Sequence, residues 1–377
     1  VDSSGNRRQT ISQTPSEPGD DLYLSIDIDL QRQAEKSLEG VLEALRKGEM
    51  YKSEYGSFMP LRQASHANSG AIVVSNVKTG EVLAMASYPE YDPNLFSTGI
   101  SQSDWESLQV EEDSGPLVPR PMLNIASQTA VMPGSTFKLV TSLAALENGL
   151  DPQAVITDYG YVEVGDQTFN NLAWTEYGIT QGEENLYGAI RDSNNYYFYV
   201  LALGENPHDG KSIGTKLELN DIRVAAEKLG LDQPTGIEVN IPKETTGNIP
   251  SIGKKVEITK TMLQNYLEDR LPVYLKDGVK KSKSEFENDV LEIVNMTSSP
   301  SEWTRSKIID FLDEKGYNAE QSLGEDRAGL ADTIKFTYLN QAEWDITDML
   351  NIVIGQGQNS YTPIQMNRAI ACLLYTS

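Results

Sequence analysis

The sequence predicts a mixed α/β (α+β) fold, on three observations. Leu22, Leu24, Ile26 and Ile28 alternate with other residues as a half-buried strand does. Gly70-Ala-Ile-Val-Val-Ser-Asn-Val-Lys-Thr-Gly-Glu-Val-Leu-Ala-Met85 reads as two strands around a turn at Lys78-Thr79-Gly80, a hairpin at a sheet edge. Apolar residues then recur at helical spacing in several stretches, most sharply at Leu139, Val140, Leu143, Ala144 and Leu146, between Pro133-Gly134 and Asn148-Gly149.

Composition removes several chemistries. Thirty-one basic against fifty-five acidic residues give a formal charge of -24, which opposes a phosphate backbone and reads as a hydrated surface, so no nucleic-acid partner is expected. Two histidines, His66 and His208, and one cysteine, Cys372, argue against disulfides, structural zinc and a Cys-His pair, and no cofactor or metal is expected. A working serine would find lysine, rather than histidine, as its base. No stretch approaches the roughly eighteen apolar residues of a membrane span, and the first residues do not show the charged-then-apolar pattern of a signal peptide. The chain starts at Val1 without methionine, so a fragment with its targeting segment upstream is expected.

In chain order, residues 1–21 read as a linker or the end of an upstream pedestal domain. Asp29 is placed to cap a helix with Leu30, Ala34, Leu38, Val41, Leu42 and Leu45 on one face, ending at Lys47-Gly48. Residues 89–132 read as a long surface excursion, and Ala154 to Ile179 as a small β-rich segment. Asp192-Ser193-Asn194-Asn195 is a polar knot before the apolar helix Tyr196–Gly204, where Ser193 or Asn194 caps the helix if the knot has no other role. Another amphipathic helix spans 216–230. Residues 251–343 turn rich in Lys, Glu, Asp and Ser, and carry two helical patterns, Phe286–Val294 and Trp303–Leu312; the stretch reads as a helical insertion with a minor core of its own. Last, Thr362-Pro363-Ile364-Gln365 reads as a helix start with Thr362 as cap and Gln365 reaching back, preceded by Gly355-Gln356-Gly357, whose glycines permit a tight turn or a close backbone approach.

The chemistry-bearing pattern is Ser-x-x-Lys, which occurs at Ser75/Lys78, Ser135/Lys138 and Ser251/Lys254. On a helix, residues three apart are surface neighbours, so an ammonium can lie beside a hydroxyl. A lysine whose charge is disfavoured can take the hydroxyl proton and activate the serine. The first pair lies in the hairpin and the third reads as a loop, which leaves Ser135 and Lys138, in Pro133-Gly-Ser-Thr-Phe-Lys138, as the pair with a helix behind it.

Together with GAIVVSNVKTGEVLAMASYPEYDPNLF (70–96), RPMLNIASQTAVMPGSTFKLVTSLAALENG (120–149), SNNYYFY (193–199), PTGIEV (234–239) and GQGQNSYTPIQM (355–366), this pattern resembles the transpeptidase domain of class B penicillin-binding proteins, over about 22–371 except the insertion. The resemblance implies the penicillin-binding protein and serine β-lactamase-like fold, an antiparallel sheet flanked by a helical domain. It implies that Ser135 is the acyl-forming nucleophile, Lys138 its base, Ser193 a proton relay and Asn195 a holder of the stem-peptide amide, with further substrate contacts at Gly355, Gln356 and Gly357. The implied reaction joins D-Ala-D-Ala stem peptides through a serine acyl-enzyme. Implied partners are peptidoglycan stem peptides, β-lactam antibiotics and other cell-wall synthesis proteins, at the extracytoplasmic face of a bacterial membrane. A class D-like serine β-lactamase and a non-catalytic β-lactam sensor or scaffold are the competing readings.

The family's Lys-Thr-Gly segment follows its Gly-Gln-Gly segment, and this chain reaches Ser377 first; Lys78-Thr79-Gly80 lies upstream, in a hairpin turn, and is no substitute. An incomplete sheet, a missing second oxyanion donor and low turnover of this chain are therefore expected. Cys372-Leu-Leu-Tyr-Thr-Ser377 can be read as a codon string that resembles a transposon adapter, so residues 372–377 are expected to be non-native. Glu176-Tyr177-Gly178 stands where relatives often carry a histidine before the glycine, with no catalytic role affected.

Overall fold

A computed structural model describes residues 19–60, 62–97, 99–110, 118–239 and 242–375. The first helix, Ile28–Lys47, is capped by Asp27, whose carboxylate accepts from the amides of Asp29 and Leu30 at 3.0 and 3.1 Å, and it ends at Gly48 with φ of 70°. The cap is thus Asp27 rather than Asp29, which sits in the first turn and faces the positive end of the helix dipole. The strand expected over 22–28 does not form. Leu22, Tyr23 and Leu24 are exposed, and among the described residues only the Asp27 amide to Leu83 O (2.9 Å) and the Ser25 hydroxyl to Val82 O (2.6 Å) reach the hairpin before the cap turns the chain into the helix.

The hairpin pairs Gly70–Ser75 antiparallel with Val82–Tyr88, with an irregularity at Val74/Ser75. Ala34, Leu38 and Leu42 of the first helix bury Ala84 and Ala86 of the hairpin, with Ile72 and Val74 packed against them. Gly70 lets the helix come close, because a Cβ there would meet Leu38 Cδ1 at 3.0 Å. The C-terminal helix Pro363–Tyr375 ties to the same hairpin through Asn367, which donates to Val73 O and accepts from the Ser75 hydroxyl at 2.6 Å. Ser75, of the first Ser-x-x-Lys pair, is thereby used as a strut. Among the described residues each sheet is a two-stranded antiparallel pair.

The largest core joins the helix Lys138–Glu147, the helix Asn195–Leu203, the helix Leu219–Lys228 and the helix Ile346–Ile352. Every residue from Tyr196 to Ala202 is buried, so this helix is apolar all round and runs through the interior. Between Ile156 and Asn170 the expected β-rich segment forms as short paired strands, closed by the helix Leu172–Tyr177.

Residues 251–343, read from sequence as an insertion, are largely helical, with Ile252–Arg270, Lys283–Asn295 and Arg305–Glu314 enclosing Leu263, Leu267, Ile293, Ile308, Leu312 and Ile334 in a separate core. Each fully buried Leu or Ile contributes roughly 1.5–3 kcal/mol by transfer from water, so this unit has the means to hold its own shape. Lys255 ties it to the main body, donating to Asp348 at 2.6 Å and to Glu343 O at 2.5 Å. One expectation is corrected: Ser251/Lys254 is no loop but the start of a 19-residue helix, in which the Ser251 hydroxyl caps the Lys254 amide at 3.1 Å. The internal Gly253 concealed a helix that its cap and later periodicity support.

Candidate active site

Pro133-Gly134 redirects the chain into a 3₁₀ turn, Gly134–Phe137, which continues into the α-helix at Lys138. Phe137 is fully buried and stacks on Tyr361 at 5.7 Å. Locking Phe137 inward turns Ser135 outward, where it is exposed and its hydroxyl makes no hydrogen bond among the described residues. Its amide likewise lacks a backbone partner there, as expected for the first N–H groups of a helical turn.

Gly355 braces this turn. Its φ is 76°, its carbonyl accepts from the Gly134 amide at 3.0 Å, and a Cβ would lie 2.1 Å from Gly134 O and 2.7 Å from Phe137 Cβ. Glycine is required by both the left-handed backbone and the approach. Tyr361 and Val131 exchange two backbone hydrogen bonds alongside, at 2.9 and 3.0 Å. Gly355 is therefore buried against the Ser135 turn, whereas Gln356 and Gly357 are exposed next to it.

Lys138 is 2% exposed. Its Nζ donates to Ser193 O at 2.7 Å, to Ser193 Oγ at 3.2 Å and to Asn195 Oδ1 at 2.6 Å, and lies 5.4 Å over the Phe198 ring. Burial lowers its pKa from 10.5 to about 8. The structure thus gathers Lys138, Ser193 and Asn195 into one hydrogen-bonded group, with Ser135 one helical turn away and not yet bonded to it.

The polar knot explains itself locally. Ser193 has φ of 53°, the one non-glycine residue in the left-handed region among those described. Its carbonyl is bonded to the ammonium, while Asn194 is buried and caps the next helix by accepting from the Tyr197 amide at 3.0 Å. Capping thus falls to Asn194, and Ser193 and Asn195 are left for Lys138. Behind the knot lie groups that the sequence alone did not single out: Asp158, Asn171 and Gln181, from the strand-rich segment, are linked to it by hydrogen bonds. Single Asp and Asn residues near Gly turns carry no pattern by which to find them. Glu184, also buried and adjacent to Asp192, is pushed up to about 7, first by burial and then by the Asp192 carboxylate.

An exposed serine, a desolvated lysine and a second hydroxyl on the lysine's nitrogen are the parts of a serine acyl-transfer site. Residues 70–269 match the model of the penicillin binding protein transpeptidase domain, and the chain belongs to that family. A relative, the peptidoglycan D,D-transpeptidase MrdA of Acinetobacter baumannii, is 28% identical over 262 residues, 69% of this chain and 32% of the relative. The peptidoglycan D,D-transpeptidase PbpA of Mycolicibacterium smegmatis is 33% identical over 210 residues, 52% of this chain and 39% of its own. Among solved structures, Pseudomonas aeruginosa PBP2 in complex with WCK 5153 superposes with a TM-score of 0.55 at 25% identity, covering 95% of this chain and 52% of that one. A chain of a peptidoglycan synthase complex gives 0.56 at 26% identity, covering 99% of this chain and 45% of the other. The chain spans about a third of the length of the curated relatives it matches.

Proposed function

We propose that this chain carries the acyl-transfer centre of a peptidoglycan D,D-transpeptidase, with Ser135 as nucleophile and Lys138 as base. The observation that carries the reading is the buried Lys138 amine, its pKa lowered to about 8, held by Ser193 and Asn195 one helical turn from an exposed and unbonded Ser135 hydroxyl.

In the proposed cycle, neutral Lys138 takes the Ser135 proton as Oγ bonds to the penultimate D-alanine carbonyl carbon of a stem peptide. The Ser135 amide, free at the start of its turn, supports the developing oxyanion. The carbonyl carbon–nitrogen bond then breaks, the proton passes from the Lys138 ammonium through the Ser193 hydroxyl to the leaving nitrogen, and D-alanine departs. An amine of a second strand attacks the ester, its proton returns by the same route, and Ser135 is released. Asn195 presents its amide both to Lys138 and to the peptide, while Gln356 and Gly357, exposed beside the nucleophile turn, line the substrate side. Gly355 supports the turn from behind.

β-Lactams, as cyclic mimics of the D-Ala-D-Ala amide, acylate the same serine in this reading. Stem peptides and other cell-wall synthesis proteins are the proposed partners, and the extracytoplasmic membrane face the proposed location; among the described residues no helix is long and apolar enough to cross a membrane. Incubation with a penicillin followed by intact-mass and peptide mass spectrometry tests the centre. A single penicilloyl adduct on the peptide containing Ser135, absent in Ser135→Ala, is expected; an adduct that persists in Ser135→Ala overturns the assignment.

A further inference from the structure

Asp158 is buried, 3% exposed, and has no cation within ion-pairing distance among the described residues. Its charge is met by neutral donors alone. Oδ1 accepts from the Gly160 amide at 2.6 Å; Oδ2 accepts from Asn171 Nδ2 at 2.9 Å, the Gln181 amide at 3.0 Å and Asn194 Nδ2 at 3.2 Å. A buried carboxylate without such donors is costly, and four N–H groups converging on it are correspondingly fixed.

Those donors hold the knot that holds Lys138. Asn194 links Asp158 to the helix cap, and Asn171 Oδ1 accepts from the Asn195 amide at 3.1 Å. Gln181 Nε2 donates to Asp192 O at 2.9 Å. Three anchors thus grip residues 192, 194 and 195, on either side of Ser193, whose left-handed backbone has an intrinsic cost of roughly 1–3 kcal/mol and persists only where its surroundings fix it. Gly160 lets the indole of Trp174 pack close to this backbone, since a Cβ there would meet Trp174 Cδ2 at 2.6 Å.

We infer that Asp158 is the positioning residue for the Ser193–Asn195 turn, and that through this turn it sets where and how dry the Lys138 amine is held. It touches neither Lys138 nor substrate. The inference rests on the acyl-transfer reading for its relevance to catalysis, and on geometry for the hydrogen-bonded chain itself. Only a carboxylate suits the position: an asparagine of the same shape would turn an NH₂ toward at least one of the four donors.

The test compares the 377-residue chain with Asp158→Asn, using ¹³Cε-lysine NMR, with the Lys138 signal identified by its loss in Lys138→Arg, and amide hydrogen exchange at Asn195. Glu184, Arg191, Asp192, Tyr196 and Tyr199 also face the turn or its anchors, and lysine Cε labelling reports Lys138 apart from them. Asp158→Asn is expected to raise the Lys138 midpoint by at least one pH unit from about 8, to speed exchange at Asn195 at least tenfold and to slow penicillin acylation at least tenfold. Asp289→Asn, a change at another buried carboxylate, in the insertion, is expected to move none of the three. A folded Asp158→Asn chain with unchanged midpoint and exchange overturns the inference. Should that variant not fold, Asn171→Ala, which removes the link to Asn195, decides by the same two readouts. A wild-type chain that no penicillin acylates counts against the acyl-transfer reading, and the midpoint and exchange still decide the role of Asp158.

Discussion

Ser135/Lys138 and Ser251/Lys254 share a sequence pattern and a position at the start of a helix, yet they are opposite in chemistry. Ser251 spends its hydroxyl on the Lys254 amide, and Lys254 is exposed, pairing loosely with Glu257 at 3.4 Å. Ser135 lies inside a 3₁₀ turn, so its hydroxyl is not used as a cap, and Lys138 is buried beneath it. On the proposed acyl-transfer reading, reactivity at Ser135 comes from releasing the serine from capping and from withdrawing water from the lysine. A helix and a three-residue spacing supply neither.

The largest effect that sharpens this contrast is expected at the lysines. Lys138→Ala should lower penicillin acylation by at least a thousandfold, whereas Lys254→Ala should leave it within twofold, as stopped-flow or gel-based labelling can measure. The pH dependence follows from the direction of the shift. With a pKa lowered to about 8, neutral amine grows about tenfold per unit as pH rises toward 8 and saturates above it, so acylation should climb and then level off. The unfolded chain, with the ordinary value of 10.5, binds the proton more tightly than the folded chain. Burial of Lys138 therefore costs stability in full below pH 8, a cost relieved as pH rises from 8 to 10.5. A flat acylation profile between pH 6 and 9 would contradict the role given to Lys138.

Next in size is the brace behind the nucleophile. Gly355→Ala must place a Cβ against Gly134 O and Phe137 in a left-handed backbone, and should destabilise by about 2–4 kcal/mol and lower acylation, measured by urea unfolding and labelling together. Gly357→Ala meets Asn351 Cβ at 3.3 Å and Ile352 Cγ1 at 3.9 Å, with no backbone atom in the way, and should cost about 1 kcal/mol. Equal costs at the two glycines would sink the bracing argument.

The smallest effects concern Ser251 and Ser193. Ser251→Ala removes a helix cap and should cost about 1 kcal/mol without touching acylation. Ser193→Gly relieves the left-handed residue and should stabilise by about 1 kcal/mol, while slowing acyl transfer through loss of the hydroxyl on Lys138. A destabilised Ser193→Gly chain would show that the turn is not strained.

Much of this was legible. The hairpin of 70–88, the helicity of 251–343 with its separate core, and the Thr362-Pro363-Gln365 cap rest on local alternation, periodicity and cap chemistry, which residues near in sequence express directly; Thr362 Oγ1 indeed accepts from the Gln365 amide, and Gln365 Oε1 from that of Thr362. The same logic failed at Leu22–Ile28, because alternation says nothing of whether a partner strand is at hand before a cap intervenes. It failed at Ser251, where one glycine outweighed a good cap.

For the site, sequence by itself determined the nucleophile and base candidates, the knot at 193–195 and the segment at 355–357, because each is a short run whose residue types carry their own chemistry. Tertiary structure alone decided that Gly355 touches Gly134, that Lys138 is dry and bonded to Ser193 and Asn195, and that Asp158 gathers donors from four places in the chain. The physical reason is that desolvation and close approach are properties of what surrounds a group. At this site those surroundings come from residues up to 230 positions apart, the separation of Val131 and Tyr361, which no local pattern records.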